Sequence, residues 1–272
     1  MDDWQPLALA AAPNGAYKTK ADHPALPLTP AELAETAARC RDAGAAMLHL
    51  HVRDTDGRHS LDPELYGLAM DAVRRAVGDR LVIQVTSESG RIYEPEAQMQ
   101  AIRRVRPEAV SLALRELIPD TSAEREAAEF FQWLAGIGCV PQYILYSADE
   151  VDWYRSLRER SVIPEAPHWL LFVLGRYSDA QQSQPADLLP FLREPVPVPW
   201  AMCAFGRTEH ACAVTAAALG GHVRIGFENN LLLKDGTRAP HNAALVAQAA
   251  EAAALLNRPL LDADGLRDLL VS

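Results

Sequence analysis

The sequence has no apolar run approaching the ~20 residues of a membrane span. Positive charge is the minority sign: 26 Lys and Arg stand against 36 Asp and Glu, a net charge of −10. Phosphate neutralisation needs clustered Lys and Arg, so a nucleic-acid partner is not expected. The opening residues, Met1-Asp2-Asp3-Trp4, carry no basic stretch, so no secretory leader is expected. Cysteine is scarce, and none of Cys40, Cys139, Cys203 and Cys212 forms a CxxC pair. Four scattered thiols in apolar segments predict reduced core residues of a cytoplasmic protein, not a disulfide framework. No GxGxxG or P-loop follows the first apolar run, which argues against an open, doubly wound nucleotide-binding sheet. There is also no Gly-x-Ser-x-Gly elbow and no Cys/His pair at motif spacing.

What is present is an alternation. Short apolar runs at 7–12, 47–53, 81–85, 109–114, 140–145, 169–174, 200–204 and 223–226 read as strands buried on both faces. Helical segments follow each. Thr29-Pro30-Ala31-Glu32 supplies an N-cap, a first-turn proline and a capping-box glutamate. Asp62-Pro63-Glu64, Glu94-Pro95-Glu96, the acidic turn after Ser122 and Ser147-Ala148-Asp149-Glu150 open the next four. Segments from about Pro185, Thr208 and Asn242 supply the sixth to eighth, and a short helix follows Asp262. Eight β-α units in 272 residues predict one domain over 1–272, a (β/α)8 TIM barrel with a short C-terminal helical extension. Pro195, Pro197 and Pro199 crowd the approach to the seventh strand.

In such a barrel the chemistry sits at the C-terminal ends of the strands. Strand two ends in Leu48-His49-Leu50-His51-Val52-Arg53-Asp54. Alternation puts His49 and His51 on one face, where two imidazoles suit Zn²⁺; a hydrogen-bonded pair without metal is the alternative. Glu228, just past strand eight, is a third candidate ligand that leaves a position open for substrate, or else a surface carboxylate. Arg224 lies in an otherwise apolar strand and is either a carboxylate clamp or a structural ion-pair partner. Thr86 and Ser87 offer hydroxyls to a carboxylate or an oxyanion, and Ser111 is a further polar candidate. Asn14 sits in a turn-forming stretch near the mouth, and Tyr143 is a candidate pocket wall. Arg176 and Arg207 sit at loop bases, where arginines suit cofactor phosphates or are plain surface charges.

Together these pieces resemble the β-keto acid cleavage enzymes, a family typified by cleavage of 3-keto-5-aminohexanoate. The matching segments are Ala12-Pro13-Asn14-Gly15-Ala16, the stretch 23–30, His49-Leu50-His51-Val52-Arg53-Asp54, Val110-Ser111-Leu112, Gly220-Gly221-His222-Val223-Arg224-Ile225-Gly226-Phe227-Glu228 and Asn242-Ala243-Ala244-Leu245-Val246. The resemblance implies a zinc-dependent barrel that condenses a β-keto acid with acetyl-CoA and releases acetoacetate and a new acyl-CoA. It implies a homo-oligomer, a tetramer or a dimer. It places the metal on His49, His51 and Glu228, and catalytic roles on Arg224 and Thr86.

Three departures stand out. Asn229 occupies the position where the family resemblance implies a basic Asp, and an amide takes no proton at neutral pH. Asp54, Glu88, Glu116 or a zinc-bound hydroxide are the substitutes. Gln142 and Ile144 stand where acidic residues are usual, and Tyr17 replaces the acid of members that accept amino-bearing substrates. A less cationic or more apolar acyl chain is therefore expected. The competing readings are a zinc-dependent lyase or aldolase that needs no CoA, and a zinc-binding homologue silenced by Asn229. An amidohydrolase is disfavoured, because HxH falls on strand two and the strand-five segment has no His.

Overall fold

The computed structural model describes residues 5–271; Met1–Trp4, which bear on the leader expectation, and Ser272 lie outside the described residues. Eight parallel strands close into a barrel: β1 (Leu9–Ala11), β2 (Met47–Leu50), β5 (Val82–Thr86), β6 (Ala109–Ala113), β7 (Val140–Leu145), β8 (Trp169–Leu174), β9 (Trp200–Ala204) and β10 (His222–Ile225). They run round the circle in that order, and β10 pairs back onto β1. The remaining two strands, β3 (Val52–Arg53) and β4 (His59–Ser60), form a small antiparallel hairpin. The apolar run at 47–53 is thus broken at His51, and its last residues leave the barrel for this hairpin.

The helices are α1 (Pro30–Asp42), α2 (Pro63–Val77), α3 (Pro95–Val105), α4 (Leu114–Leu117), α5 (Glu124–Gly136), α6 (Ala148–Glu159), α7 (Glu209–Ala218), α8 (Asn242–Leu255) and α9 (Ala263–Val271). Their starts follow local chemistry. Thr29 accepts from Glu32 N while the Glu32 carboxylate accepts from Thr29 N, a reciprocal cap on α1. At α6 only half of that motif forms. Ser147 accepts from Glu150 N, but the Glu150 carboxylate turns to Tyr146 N and Arg115 instead. The sixth helical segment, Pro185–Leu192, is a 3₁₀ helix. Pro190 in its interior has no N–H to give to an α-helical ladder.

Side-chain parity divides the core in two. One layer, between strands and helices, includes Leu48, Leu50, Val85, Leu112, Tyr143 and Phe172. The other fills the barrel with Ala8, Ala10, Met47, Val82, Ala109, Val140, Trp169, Leu171 and Ala201. Ala263, Leu266 and Leu270 of α9 belong to this inner layer, so the C-terminal helix plugs the N-terminal end of the barrel. Arg258, buried at the same end, donates to the carbonyls of Gln5, Pro6, Ala217 and Gly221 and ties the chain ends together. No helix among the described residues is long and apolar enough to cross a membrane.

Candidate metal centre and active site

The inward positions become polar toward the C-terminal end of the barrel. His49 follows Met47 on β2, Gln84 and Thr86 follow Val82 on β5, and Arg224 follows His222 on β10. His49, Thr86 and Arg224 floor a cavity of about 420 Å³ that opens at that end. His51, just beyond β2, and Glu228, just beyond β10, reach the same point.

The three side chains converge closely. His49 Nε2 lies 3.0 Å from His51 Nε2, and both lie 3.5 Å from Glu228 Oε2. Among the described residues this is the one group of three such side chains with potential ligand atoms mutually within 4.8 Å. Their surroundings strip protons from the centre. Gln84 Oε1, 2.8 Å from His49 Nδ1, takes that nitrogen's N–H and leaves Nε2 with a bare lone pair. Gln84 is held in turn by donating to Gln142 Oε1 at 3.1 Å. Burial pushes His49 down to about 4, and the Arg224 charge adds to this. Burial and the neighbouring His49 hold His51 well below the ordinary imidazole value. Burial works to raise the Glu228 carboxyl, but Arg224, His49 and Lys18 outweigh it and keep it below the ordinary value. Arg224 donates to Glu228 Oε1 at 3.0 Å, while buried Oε2 has no hydrogen-bond partner.

Two neutral imidazoles and an anionic oxygen thus aim lone pairs at one point. Tetrahedral zinc with bonds of about 2.0–2.1 Å separates its ligand atoms by about 3.3 Å, which the observed spacings match. The site therefore fits a divalent cation with an open position.

The loops fix the third side chain of the trio, the Glu228 carboxylate. Glycine at 226 lets the turn after β10 pass against Ala12, whose carbonyl would lie 2.3 Å from a Cβ there. Gly15 has φ +61, and a Cβ on it would sit 2.6 Å from Glu228 Cγ. Lys18 Nζ donates to the Glu228 carbonyl at 2.7 Å. Glu209, buried at the start of α7, accepts from Gly226 N at 3.1 Å and Asn230 Nδ2 at 3.2 Å, and burial pushes its carboxyl up to about 8.

The other expected site residues separate. Asn14, Thr86, Arg224, His49 and Glu228 line the cavity. Thr86 Oγ1 accepts from Glu88 N and Ser111 Oγ, which leaves its own proton free for the cavity. Ser111, in register with Thr86, lies behind that hydroxyl and does not line the cavity, and Ser87 donates to the Ser111 carbonyl. Tyr143 does not line the pocket. Its ring faces the helices and packs on Phe131 and Tyr154, because Gln142 and Ile144 hold the inward parity on β7. Arg207 is exposed and outside the cavity. Asn229 is buried behind the wall, and neither of its side-chain polar atoms has a partner.

Among the carboxylates considered as proton acceptors, Asp54 is engaged with Arg58 in the hairpin and Glu116 with Ser89. Glu88 lines the cavity 3.8 Å from His51 Nε2 and 3.4 Å from Arg176. Burial, then the Glu228 charge, pushes its carboxyl up to about 7. Tyr146, at the end of the strand-five run expected to wall the pocket, lines the cavity, and so does Lys18, to which sequence reasoning gave no part in the site. Lys18 lies well past its strand, where no periodicity points at a pocket.

Comparison with known proteins identifies the family. Residues 6–271 match the beta-keto acid cleavage enzyme family. The 3-keto-5-aminohexanoate cleavage enzyme of Fusobacterium nucleatum is 30% identical over 97% of this chain and 97% of its own length. The 3-oxoadipate:acetyl-CoA acetyltransferase of Cupriavidus necator is 29% identical over 98% and 95%. The solved binary complex of ObcA with oxaloacetate, 17% identical, superposes with a TM-score of 0.72 over 91% of this chain and 67% of that one, a likeness of fold alone. The chain belongs to the β-keto acid cleavage enzyme family.

Proposed function

We propose that the protein is a zinc-dependent acyl-exchange enzyme that converts a β-keto acid and acetyl-CoA into acetoacetate and the CoA ester of the remaining acyl group. The observation that carries this reading is the convergence of His49 Nε2, His51 Nε2 and Glu228 Oε2 on the floor of the cavity, in a chain of this family. Relatives named for acetyl-CoA transfer support the co-substrate.

His49, His51 and Glu228 would hold the metal, which when bound would supply Lewis acidity to the substrate. Gln84 fixes the orientation of His49, and Arg224 fixes Glu228. Arg224 and the free Thr86 proton orient the substrate oxygens, and Asn14 borders them. Asn229 has no proton-accepting role, and Glu88 is the cavity carboxylate placed to take the proton from the carbon between the two carbonyls. The resulting carbanion attacks the acetyl carbonyl and displaces the CoA thiolate. The thiolate then adds to the original keto carbon. The bond between that carbon and its neighbour breaks, the proton returns to the departing carbanion, and acetoacetate and the new acyl-CoA leave. The protein is further read as a cytoplasmic homodimer or homotetramer, which light scattering on the purified protein tests.

The deciding experiment incubates metal-loaded protein with acetyl-CoA and a panel of β-keto acids and measures acetoacetate. Product that requires both acetyl-CoA and metal supports the reading. Cleavage without acetyl-CoA supports a lyase instead, and metal-loaded protein with no product supports a silent homologue.

A further inference from the structure

The cavity floor is charged, but one arc of its wall is not. Ala113, Ile144, Val173 and Phe205 end or follow four adjacent barrel strands, β6 to β9, and all four are at most 8% exposed. The order of strands sets β7 directly across the barrel from β1, whose two neighbours, β2 and β10, lead into the metal ligands. The arc therefore faces the metal cluster across the barrel axis.

Two of the lining carboxylates are paired with arginines, while Lys18 Nζ donates to the Glu228 backbone carbonyl and Arg91 lines the cavity away from the four arc residues' own side chains. Glu228 is bound by Arg224, and Glu88 is paired with Arg176. Asp22 accepts from the backbone and hydroxyl of Thr19. Arg176 also lies 5.0 Å over the Tyr17 ring and 5.2 Å over the Phe205 ring. A cationic tail finds Glu88 and Glu228 already paired with arginines and Asp22 already accepting twice from Thr19. An anionic tail laid on the arc loses its water against Ile144, Val173 and Phe205, and the one cation beside these side chains, Arg176, is already paired with Glu88.

We propose that Ala113, Ile144, Val173 and Phe205 form the acyl-chain subsite, so that the substrate is a β-keto acid whose acyl chain is short, uncharged and apolar. This rests on the keto-acid reading above, with the keto and carboxylate oxygens at the metal cluster. Burial of each further methylene in this arc should tighten binding about fourfold, the equivalent of ~0.8 kcal/mol, until the cavity is full.

The test is calorimetric titration of metal-loaded protein without acetyl-CoA, using 3-oxobutanoate, 3-oxopentanoate, 3-oxohexanoate, 3-oxoadipate and 5-amino-3-oxohexanoate. The expected result is rising affinity along the first three, with 3-oxohexanoate binding at least tenfold tighter than either charged-tail acid. Equal or tighter binding of a charged-tail acid overturns the proposal. Ile144→Glu adds a carboxylate to the arc and should weaken 3-oxohexanoate at least tenfold while tightening the amino acid. An unchanged ranking in folded Ile144→Glu also overturns it, and if that variant does not fold the wild-type ranking decides. The expected ranking without acetoacetate formation overturns only the acyl-exchange reaction. Acetoacetate formation with a reversed ranking overturns only this subsite, and no binding of any of the acids overturns both.

Discussion

At the scale of single residues, the site depends on which atoms are left without protons. His49 can present Nε2 because Gln84 Oε1 takes the proton at Nδ1. Replacing Gln84 with Met keeps the volume but removes that acceptor, so the ring is free to place its proton on Nε2. Metal affinity of Gln84→Met should fall about 10–100-fold, the usual effect of losing a partner behind a metal ligand. Competition against a calibrated chelator measures it, and unchanged affinity would show that His49 needs no orientation. Glu88 supplies a different test. It lies in the cavity but outside the convergent trio. Glu88→Gln should therefore retain metal and lose at least ~10²-fold in turnover, within the range for general-base removal. Turnover near wild type would send the proton to another acceptor.

At the scale of elements, the turn carrying Gly15 is wedged against the one carrying Glu228. A side chain at position 15 meets a left-handed backbone, costing about 1–2 kcal/mol, and collides with Glu228 Cγ. Gly15→Ala should lower the melting temperature modestly and metal affinity more sharply, because the strain is relieved by pushing the ligand away. A lower melting temperature with unchanged chelator competition would refute that route. The eight strands were legible in the sequence because each is a short apolar run bounded by helix-start signals. The HxH pair was legible because alternation puts both rings on one face. Tyr143 was misplaced for the converse reason. A strand buried on both faces carries no polar-apolar period, so nothing local says that Ile144, not Tyr143, points inward. Arg207 and Arg176 look alike at loop bases, yet only Arg176 turns into the cavity, toward Glu88 and Tyr17. That choice is made by contacts between distant loops, which one sequence does not display. The 3₁₀ segment at Pro185–Leu192 escaped because its prolines mark a helix start and a helix breaker at once.

At the scale of the whole molecule, the barrel closes where β10 returns to β1, and a buried carboxyl sits beside that seam. Glu209 accepts from Gly226 N, in the turn that lies against Ala12. Burial raises its carboxyl from 4.5 to about 8 in the folded protein. The folded state therefore keeps a proton that the unfolded chain has released at any pH between those values. Stability from this group is fully present below about pH 4.5, declines as the pH rises toward 8, and is flat above it. Glu209→Gln carries no such proton and still offers an oxygen to Gly226 N. The melting temperature of the wild type, relative to that of Glu209→Gln, should drop by several degrees between pH 5 and pH 8. Thermal melts of both proteins in excess chelator isolate the effect, since metal binding is then absent from both. Parallel pH profiles would show that Glu209 is ionised in the fold, with Gly226 and Asn230 sufficient to hold its charge at the seam that carries Glu228.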